Sequence, residues 1–366
     1  MRTPLKILLA AVCAGAMLLA QAPGPDEIVF LNGERLAGHF VKATGATVTF
    51  ESDALGELTI DWKKVKELHT SQKVAVIRKG VELKMKESTA GVPQGTLSVA
   101  DQKIQVAPSN QPPIPLSDAA VIIDQPAFEK AMTQTPGFTQ NWAGTATLGV
   151  ALVEATQNSR NVTAAVSLVR TEPSESWLDP RNRTAIGFTE AYGEVTQPAT
   201  PTIKTSIYHA DAQRDEYFSP SLFGFGEAMF DHNYSQGLDL QQTYEGGIGW
   251  TVIRKSNQSL DLKGAMSYIR QEFVTGKSEN LIGSVFSEHY SRKLAHGVGI
   301  DETASVTPAW NNTNAYSAAF AALVTLPVYK HLSGSTGVID TYLNNPPPLF
   351  KKNSFQFTLG LTYVIQ

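Results

Sequence analysis

Residues 354–366 read SFQFTLGLTYVIQ and alternate between two kinds of side chain. Because successive side chains of a strand point to opposite faces, one face would carry Phe355, Phe357, Leu359, Leu361, Tyr363 and Ile365, and the other Ser354, Gln356, Thr358, Gly360 and Thr362. About ten alternating residues with aromatic ends match the length and aromatic girdle of a transmembrane β-strand. An edge strand of a soluble sandwich also alternates, but it is usually shorter, about five or six residues.

Eleven further alternating segments precede this stretch, and turn residues separate them. They cover residues 142–153, 161–170, 183–195, 202–217, 221–230, 238–254, 260–272, 281–294, 298–310, 316–327 and 332–342. Turns are expected at 157–160 and 231–233. About twelve long strands favour an all-β, antiparallel, up-and-down transmembrane barrel over residues 142–366. We expect its last strand to pair with its first, because an unpaired edge is costly in hydrocarbon.

The beginning of the chain has the pattern of a secretory signal peptide over residues 1–22. Arg2 and Lys6 precede an apolar run over residues 7–20, which ends in Ala20-Gln21-Ala22. Pro23 directly after the expected cut departs from the usual pattern. The only cysteine, Cys13, lies in this segment. The mature chain is therefore expected to have no disulfide, no thiolate metal site and no cysteine nucleophile.

Charge and hydropathy limit the partners. Removing Arg2 and Lys6 from 30 basic residues leaves 28 against 34 acidic ones, without a basic cluster, so nucleic acid is not an expected partner. Beyond the signal, the longest apolar run covers residues 318–328 and is interrupted by Thr325 and Pro327, too short for a membrane-spanning helix. A membrane-spanning form would then have to be a closed barrel.

Residues 26–124 read as short strands and turns in two related halves. Each half begins with a strand and a glycine turn, at Asn32-Gly33 and Lys79-Gly80, and a second strand is expected after each turn, over 35–38 and 81–83. Later strands are expected at 47–50, 57–60, 95–99 and 103–106. The pattern predicts a small SH3-like or Sm-like barrel module. Such modules bind peptides or other domains, and a structural spacer without a ligand is the alternative.

Residues 125–141 read as a linker. Pro126, Pro136 and Gly137 flank a stretch over 127–133 that is compatible with one or two helical turns.

Four features of residues 142–366 resemble the DUF481 outer-membrane proteins, including the YdiY-like "salt-induced outer membrane proteins". They are Trp142-Ala-Gly144 before the turn asparagines Asn158 and Asn161; Glu245-Gly-Gly-Ile-Gly-Trp250; Asn345-Pro-Pro-Pro348 before Lys351-Lys352; and the closing strand from Phe355 to Tyr363. The family's closing strand often ends on an aromatic residue, whereas this chain ends Tyr363-Val-Ile-Gln366. The resemblance implies a barrel and an outer-membrane location, without a known reaction or solute.

Three sets of polar residues are candidates for chemistry. His209 and Asp211 share a strand face and could hold a metal or form a polar pair. Ser287 and His289 also share a face, opposite to Glu288, but the pattern has no third residue to orient the histidine and no nucleophile elbow. Charged residues could line a narrow lumen, either setting ion selectivity or closing it by salt bridges; they are Glu227, Asp231, Glu245, Asp261, Lys263, Glu288 and Arg292.

The sequence therefore predicts an outer-membrane barrel with a periplasmic β-module at its N-terminus and no enzymatic activity. No catalytic residue, cofactor site or metal site is assigned, and the role would be in the envelope, in stress, or as a narrow pore. The expected partners are outer-membrane lipid, the barrel assembly machinery during insertion, and a periplasmic protein or peptide at the module. A soluble periplasmic or secreted β-rich binding protein and an outer-membrane lipid hydrolase using Ser287 are the alternatives.

Overall fold

The computed structural model describes residues 24–108, 111–153, 158–196 and 202–365. It contains two units, one with residues up to 81 and 88–129, the other with 82–87 and 130–366. The expected signal peptide, residues 1–22, lies outside the described residues.

The first unit is a β-module. Its strands are β1 (Asp26–Phe30), β2 (Arg35–Ala43), β3 (Thr47–Ser52), β4 (Gly56–Asp61), β5 (Val65–Arg78), β6 (Gln94–Ala100), β7 (Lys103–Ala107), β8 (Ile114–Pro115) and β9 (Ala119–Asp124). They follow the order β4-β3-β2-β1-β5-β6-β7-β8, and β9 pairs with both β2 and β5. This pairing makes β1, β2, β9 and β5 a four-stranded, barrel-like ring around an apolar core that includes Ile28, Phe50 and Leu68.

The two halves of the module differ after their first turns. The first half continues into β2, but residues 81–83 form no strand, so that prediction is wrong. The carbonyl of Leu83 instead accepts a hydrogen bond from the Asp179 N–H, 2.9 Å away. The SH3-like or Sm-like assignment stays a prediction.

Helix α1 (Gln125–Thr133) follows β9. The Ala127 N–H donates to the Asp124 carboxylate, 3.2 Å away, which caps the helix start. Phe128 and Met132 are its buried residues. Within the described residues, no helix has both the length and the apolar character needed to cross a membrane.

The second unit is a closed antiparallel barrel of twelve strands. They are β10 (Trp142–Val153), β11 (Asn158–Glu172), β12 (Asn182–Thr196), β13 (Ile203–Tyr217), β14 (Leu222–Asn233), β15 (Leu238–Lys255), β16 (Gln258–Phe273), β17 (Ser278–Lys293), β18 (Gly299–Thr307), β19 (Ser317–Tyr329), β20 (Leu332–Leu343) and β21 (Asn353–Ile365). Each strand pairs with its neighbour in sequence, and β21 closes the ring on β10. The all-β fold with an up-and-down barrel is confirmed.

The two faces of β21 differ as its alternation predicts. Leu361 is 57% exposed on the outer surface, while Thr362, the next residue, is fully buried on the lumen side. Exposed apolar side chains continue around the outer wall, for example Leu148, Trp250 and Phe286. Since an apolar side chain gains by leaving water, this outer wall is suited to a nonpolar surrounding.

Two expected turns are wrong. Residues 231–233 belong to β14, and the turn follows at Tyr234–Gln236. Residues 158–160 belong to β11, and residue 157 lies outside the described residues. Polar residues near a strand end have the composition of a turn, but Asp231 lies within β14 and faces the lumen of the barrel.

Candidate functional site in the barrel lumen

A buried ion-pair cluster lies near the end of the barrel at which β10 begins and β21 ends, called the terminal end below. Arg183 of β12 contacts Asp215 of β13 at 2.6 Å and Asp261 of β16 at 2.7 Å. Its guanidinium also lies over the Phe223 ring, 5.3 Å from the centroid. The Thr251 hydroxyl donates to the second oxygen of Asp261 at 2.7 Å. Because buried charges need partners, this cluster binds three strands to one another through the lumen.

A second cluster surrounds Lys263, farther along the lumen. Its ammonium donates to Glu227 Oε2 at 2.9 Å and to Gln213 Oε1 at 2.6 Å. It lies over the Phe225 ring, 4.8 Å from the centroid. Glu245 of β15 is the direct cross-strand partner of Glu227. The lumen positions expected for Glu227, Glu245, Asp261 and Lys263 are therefore correct.

His209 lies between two carboxylates. Its Nδ1 is 2.7 Å from Asp231 Oδ1, and its Nε2 is 3.3 Å from Asp211 Oδ1. The histidine thus uses both ring nitrogens on acidic partners, as in a polar lumen pair. Among the described residues, no group of three or more histidine, cysteine or acidic side chains is arranged to hold a metal.

The end of the barrel opposite to the terminal end is crossed by polar contacts. The turn Tyr234–Gln236, between β14 and β15, meets the opposite wall and its loop. The Gln236 amide donates to the carbonyl oxygen of Thr341 on β20 at 3.0 Å and to that of Lys352, in the loop before β21, at 2.7 Å. Ser235 Oγ is 3.1 Å from Ser354 Oγ. We call the turn and loop 344–352 together the end bridge. They join opposite walls across the lumen.

Two further contacts fix loop 344–352. The Asn345 amide donates to Glu279 at 2.9 Å. The Phe350 ring packs on Gly237, where a Cβ would lie 2.8 Å from the ring. Gly237 has φ +69°, a conformation that glycine adopts without strain. The loop of the end bridge is therefore held at two places, at Asn345 and at Phe350.

The Ser287 and His289 pair acquires a partner that the sequence did not reveal. His289 Nε2 is 3.1 Å from Asp301 on β18. Ser287 faces the lumen opposite Lys263, but the described part of the chain gives it no hydrogen bond to His289. The arrangement is a histidine–carboxylate pair without a positioned nucleophile.

The prediction that Glu288 and Arg292 line the lumen is wrong. Glu288 is the cross-strand partner of Leu262, an outer-wall residue, and Arg292 lies on the same face of β17 as Glu288. Both side chains therefore lie on the outer surface. Even-numbered residues of β17 share one face, and the exposed Phe286 is one of them.

A cavity of about 270 Å³ lies beside the loop between β11 and β12. Its lining includes Lys84, Met85, Pro173, Asp179, Tyr217 and Pro220. Asp179 Oδ2 is buried without a hydrogen-bond partner among the described residues. Burial, and then the nearby Glu82 carboxylate, raise the pKa of Asp179 above its usual 3.8.

Comparison with known proteins adds a family. No match is found among the curated proteins. Among solved structures, the β domain of the Bordetella autotransporter BrkA is similar at 10% identity over 61% of this chain and 97% of its own, with a TM-score of 0.26. At that score the likeness says nothing of function. The model of the family described as "Protein of unknown function, DUF481" matches residues 146–365. The resemblance found in the sequence is thereby confirmed, and the chain belongs to the DUF481 family.

Proposed function

We propose that the protein is an outer-membrane β-barrel that anchors a small β-module on the periplasmic side and has no enzymatic activity. The barrel spans the membrane without forming an open channel. Its role is in the cell envelope, where the module meets a periplasmic protein or peptide. Outer-membrane lipid surrounds the barrel, and the barrel assembly machinery inserts it.

The end bridge is the observation that supports a closed barrel best. Direct hydrogen bonds from Gln236 to carbonyls on the opposite wall leave little room for an aqueous path at that point. The ion-pair clusters of Arg183 and Lys263 place further side chains in the lumen, nearer the terminal end. About twelve strands enclose a lumen much narrower than that of the 16- to 18-stranded porins, so side chains of this size suffice to obstruct it.

The proposed direction of the barrel rests on its strand count and on its turns. An even number of up-and-down strands brings Trp142 and Ile365 to the same end. That end also has the short turns at residues 256–257 and 330–331, and in barrels of this kind the short turns lie on the periplasmic side. The module, which precedes β10, would then lie in the periplasm, and the end bridge would face outward.

Single-channel recording in planar bilayers tests the closed barrel. We expect the wild-type protein to give almost no conductance and a variant that lacks residues 345–350 to give discrete channels. Gln236→Ala, which removes two bridge hydrogen bonds, should give brief openings. Lys330→Ala, in the short turn at the terminal end, is the matched control and should behave as wild type. A large, steady conductance of the wild-type barrel would contradict the proposal.

Cell fractionation tests the location. We expect the protein in the outer-membrane fraction, resistant to extraction by alkaline carbonate. Recovery in the soluble periplasmic fraction would instead support the binding-protein alternative. For the hydrolase alternative, Ser287→Ala should leave the lipid composition of the membrane unchanged, and a change would show that the barrel acts on lipid.

A further inference from the structure

Three lumen-facing residues form a row across neighbouring strands. Glu227 of β14 is the direct partner of Glu245 of β15, which in turn is the direct partner of Ser267 of β16. Directly opposed side chains on one face of an antiparallel pair have Cβ atoms about 4.5–5.5 Å apart. The three polar groups are therefore close enough to share one small ligand.

Two oxygens in this row are buried and unused. Glu245 is 8% exposed and Ser267 is 4% exposed. Within the described residues, neither Glu245 Oε2 nor Ser267 Oγ has a hydrogen-bond partner. A buried polar atom without a partner destabilises the folded state, and more so when it is charged. Two such atoms on adjacent strands point to a group that binds both.

Neither nearby cation pairs with Glu245. Lys263 is the cation of this cluster, and its ammonium is already engaged with Glu227 and Gln213. The nearby guanidinium of Arg183 is bound to two other carboxylates, Asp215 and Asp261. A cation that reaches Glu245 would therefore have to come from solution.

We propose that Glu245 and Ser267 bind one monovalent metal cation in the lumen, with Na⁺ as the representative ion. Carboxylate and hydroxyl oxygens are the donors that hard cations take. One positive charge offsets an ionised Glu245, whereas a divalent ion would add a further positive charge beside Lys263. A water molecule would also satisfy both oxygens, but it would give no difference between Na⁺ and a larger cation.

Thermal unfolding of the detergent-solubilised, full-length protein tests the site. The unfolding temperature is measured in NaCl and in choline chloride at equal concentration, because choline is too large for the site. For the wild type we expect a higher unfolding temperature in NaCl. Well above the dissociation constant, each tenfold rise in Na⁺ should raise the folded-to-unfolded ratio about tenfold.

Three variants separate the site from general salt effects. Glu245→Gln keeps the size of the side chain and removes the carboxylate that binds the ion, so it should lose the difference between Na⁺ and choline. Ser267→Ala keeps the charge and loses one ligand, so it should need more Na⁺ for the same shift. Glu190→Gln, an exposed carboxylate on the outer wall, should respond as wild type. An equal response of the wild type to NaCl and choline chloride would overturn the proposal, as would an undiminished Na⁺ response in both lumen variants.

Discussion

Thr147 of the first barrel strand and Thr362 of the last are direct cross-strand partners, and their hydroxyl oxygens are 2.7 Å apart. These residues are 215 positions apart in the chain. Their contact lies inside the lumen, where Thr362 is fully buried. The ring thus closes through antiparallel backbone pairing and a side-chain hydrogen bond across the seam.

A disulfide should form across this seam. In a Thr147→Cys, Thr362→Cys variant, the two sulfurs replace hydroxyls already in contact, so we expect efficient cross-linking in membranes. Gel mobility before and after reduction measures it. Thr147→Cys with Tyr363→Cys is the control, because Tyr363 points to the outer face and should not cross-link. Failure of the first pair to cross-link in membranes would show that the ring does not close on β10.

Removal of the closing strand should abolish assembly. Without residues 355–366, β10 and β20 would each present an unpaired edge, which hydrocarbon does not tolerate. Heat-modifiable migration in gels, a measure of folded barrel, should disappear. A truncated protein that still migrates as folded barrel would contradict this expectation.

An arginine on the outer wall should be costly in a membrane. Leu361→Arg places a charge on the outer face of β21, with an expected penalty of about 2–4 kcal/mol near the bilayer midplane. Denaturant titration in lipid vesicles measures the free energy of unfolding. Leu361→Ala is the control for lost apolar area. If Leu361→Arg instead unfolds a protein that is soluble without detergent, the residue belongs to a packed soluble core.

Loss of Arg183 should destabilise the barrel strongly. Arg183→Ala leaves the carboxylates of Asp215 and Asp261 buried without a cation, and breaking a buried pair in this way costs about 3–5 kcal/mol. Arg214→Ala is the matched control, because Arg214 pairs with Glu216 on the exposed surface and such pairs contribute about 0–1 kcal/mol. Equal losses of unfolding free energy in the two variants would contradict the description of the Arg183 cluster.

The contribution of Asp179 to the stability of the folded protein should depend on pH. Its raised pKa means that the folded state holds the proton more tightly than the unfolded state. The contribution of Asp179 to stability is therefore largest below the ordinary pKa of 3.8. It is lost as the pH rises through the higher pKa of Asp179 in the folded state. Asp179→Asn should match the wild type at acidic pH and unfold at a higher temperature at neutral pH. Glu175→Gln, an exposed residue of the same loop, should show no such pH-dependent gain; a gain equal to that of Asp179→Asn would exclude the burial of Asp179 as the cause.

The alternation of apolar with polar or small residues was enough to predict the barrel. The bounds of β10 agree with the predicted segment at both ends, because apolar and small residues alternate from Trp142 to Val153 without interruption. The segment predicted for β14 ends at residue 230, three residues before the strand ends at Asn233. Its end carries Asp231 and Asn233, whose polarity serves the lumen and not a turn. In a barrel with a polar interior, composition cannot distinguish a lumen residue from a turn residue.

The lumen contacts depend on register, which one sequence does not contain. Arg183, Asp215 and Asp261 come from β12, β13 and β16, and nothing in their local sequence links them. The partner of His289 could not be predicted for the same reason, since Asp301 is on the next strand. Parity within one strand was available, and it would have placed Glu288 on the outer face with Phe286.

The central claim is that the outer face of this barrel meets lipid. Single cysteines at the nine positions 355–363, each carrying a fluorophore in lipid vesicles, test it through quenching by nitroxide-labelled acyl chains. We expect strong quenching at Phe355, Phe357, Leu359, Leu361 and Tyr363, and weak quenching at the four positions between them. Uniform weak quenching, or a reversed alternation, would contradict it.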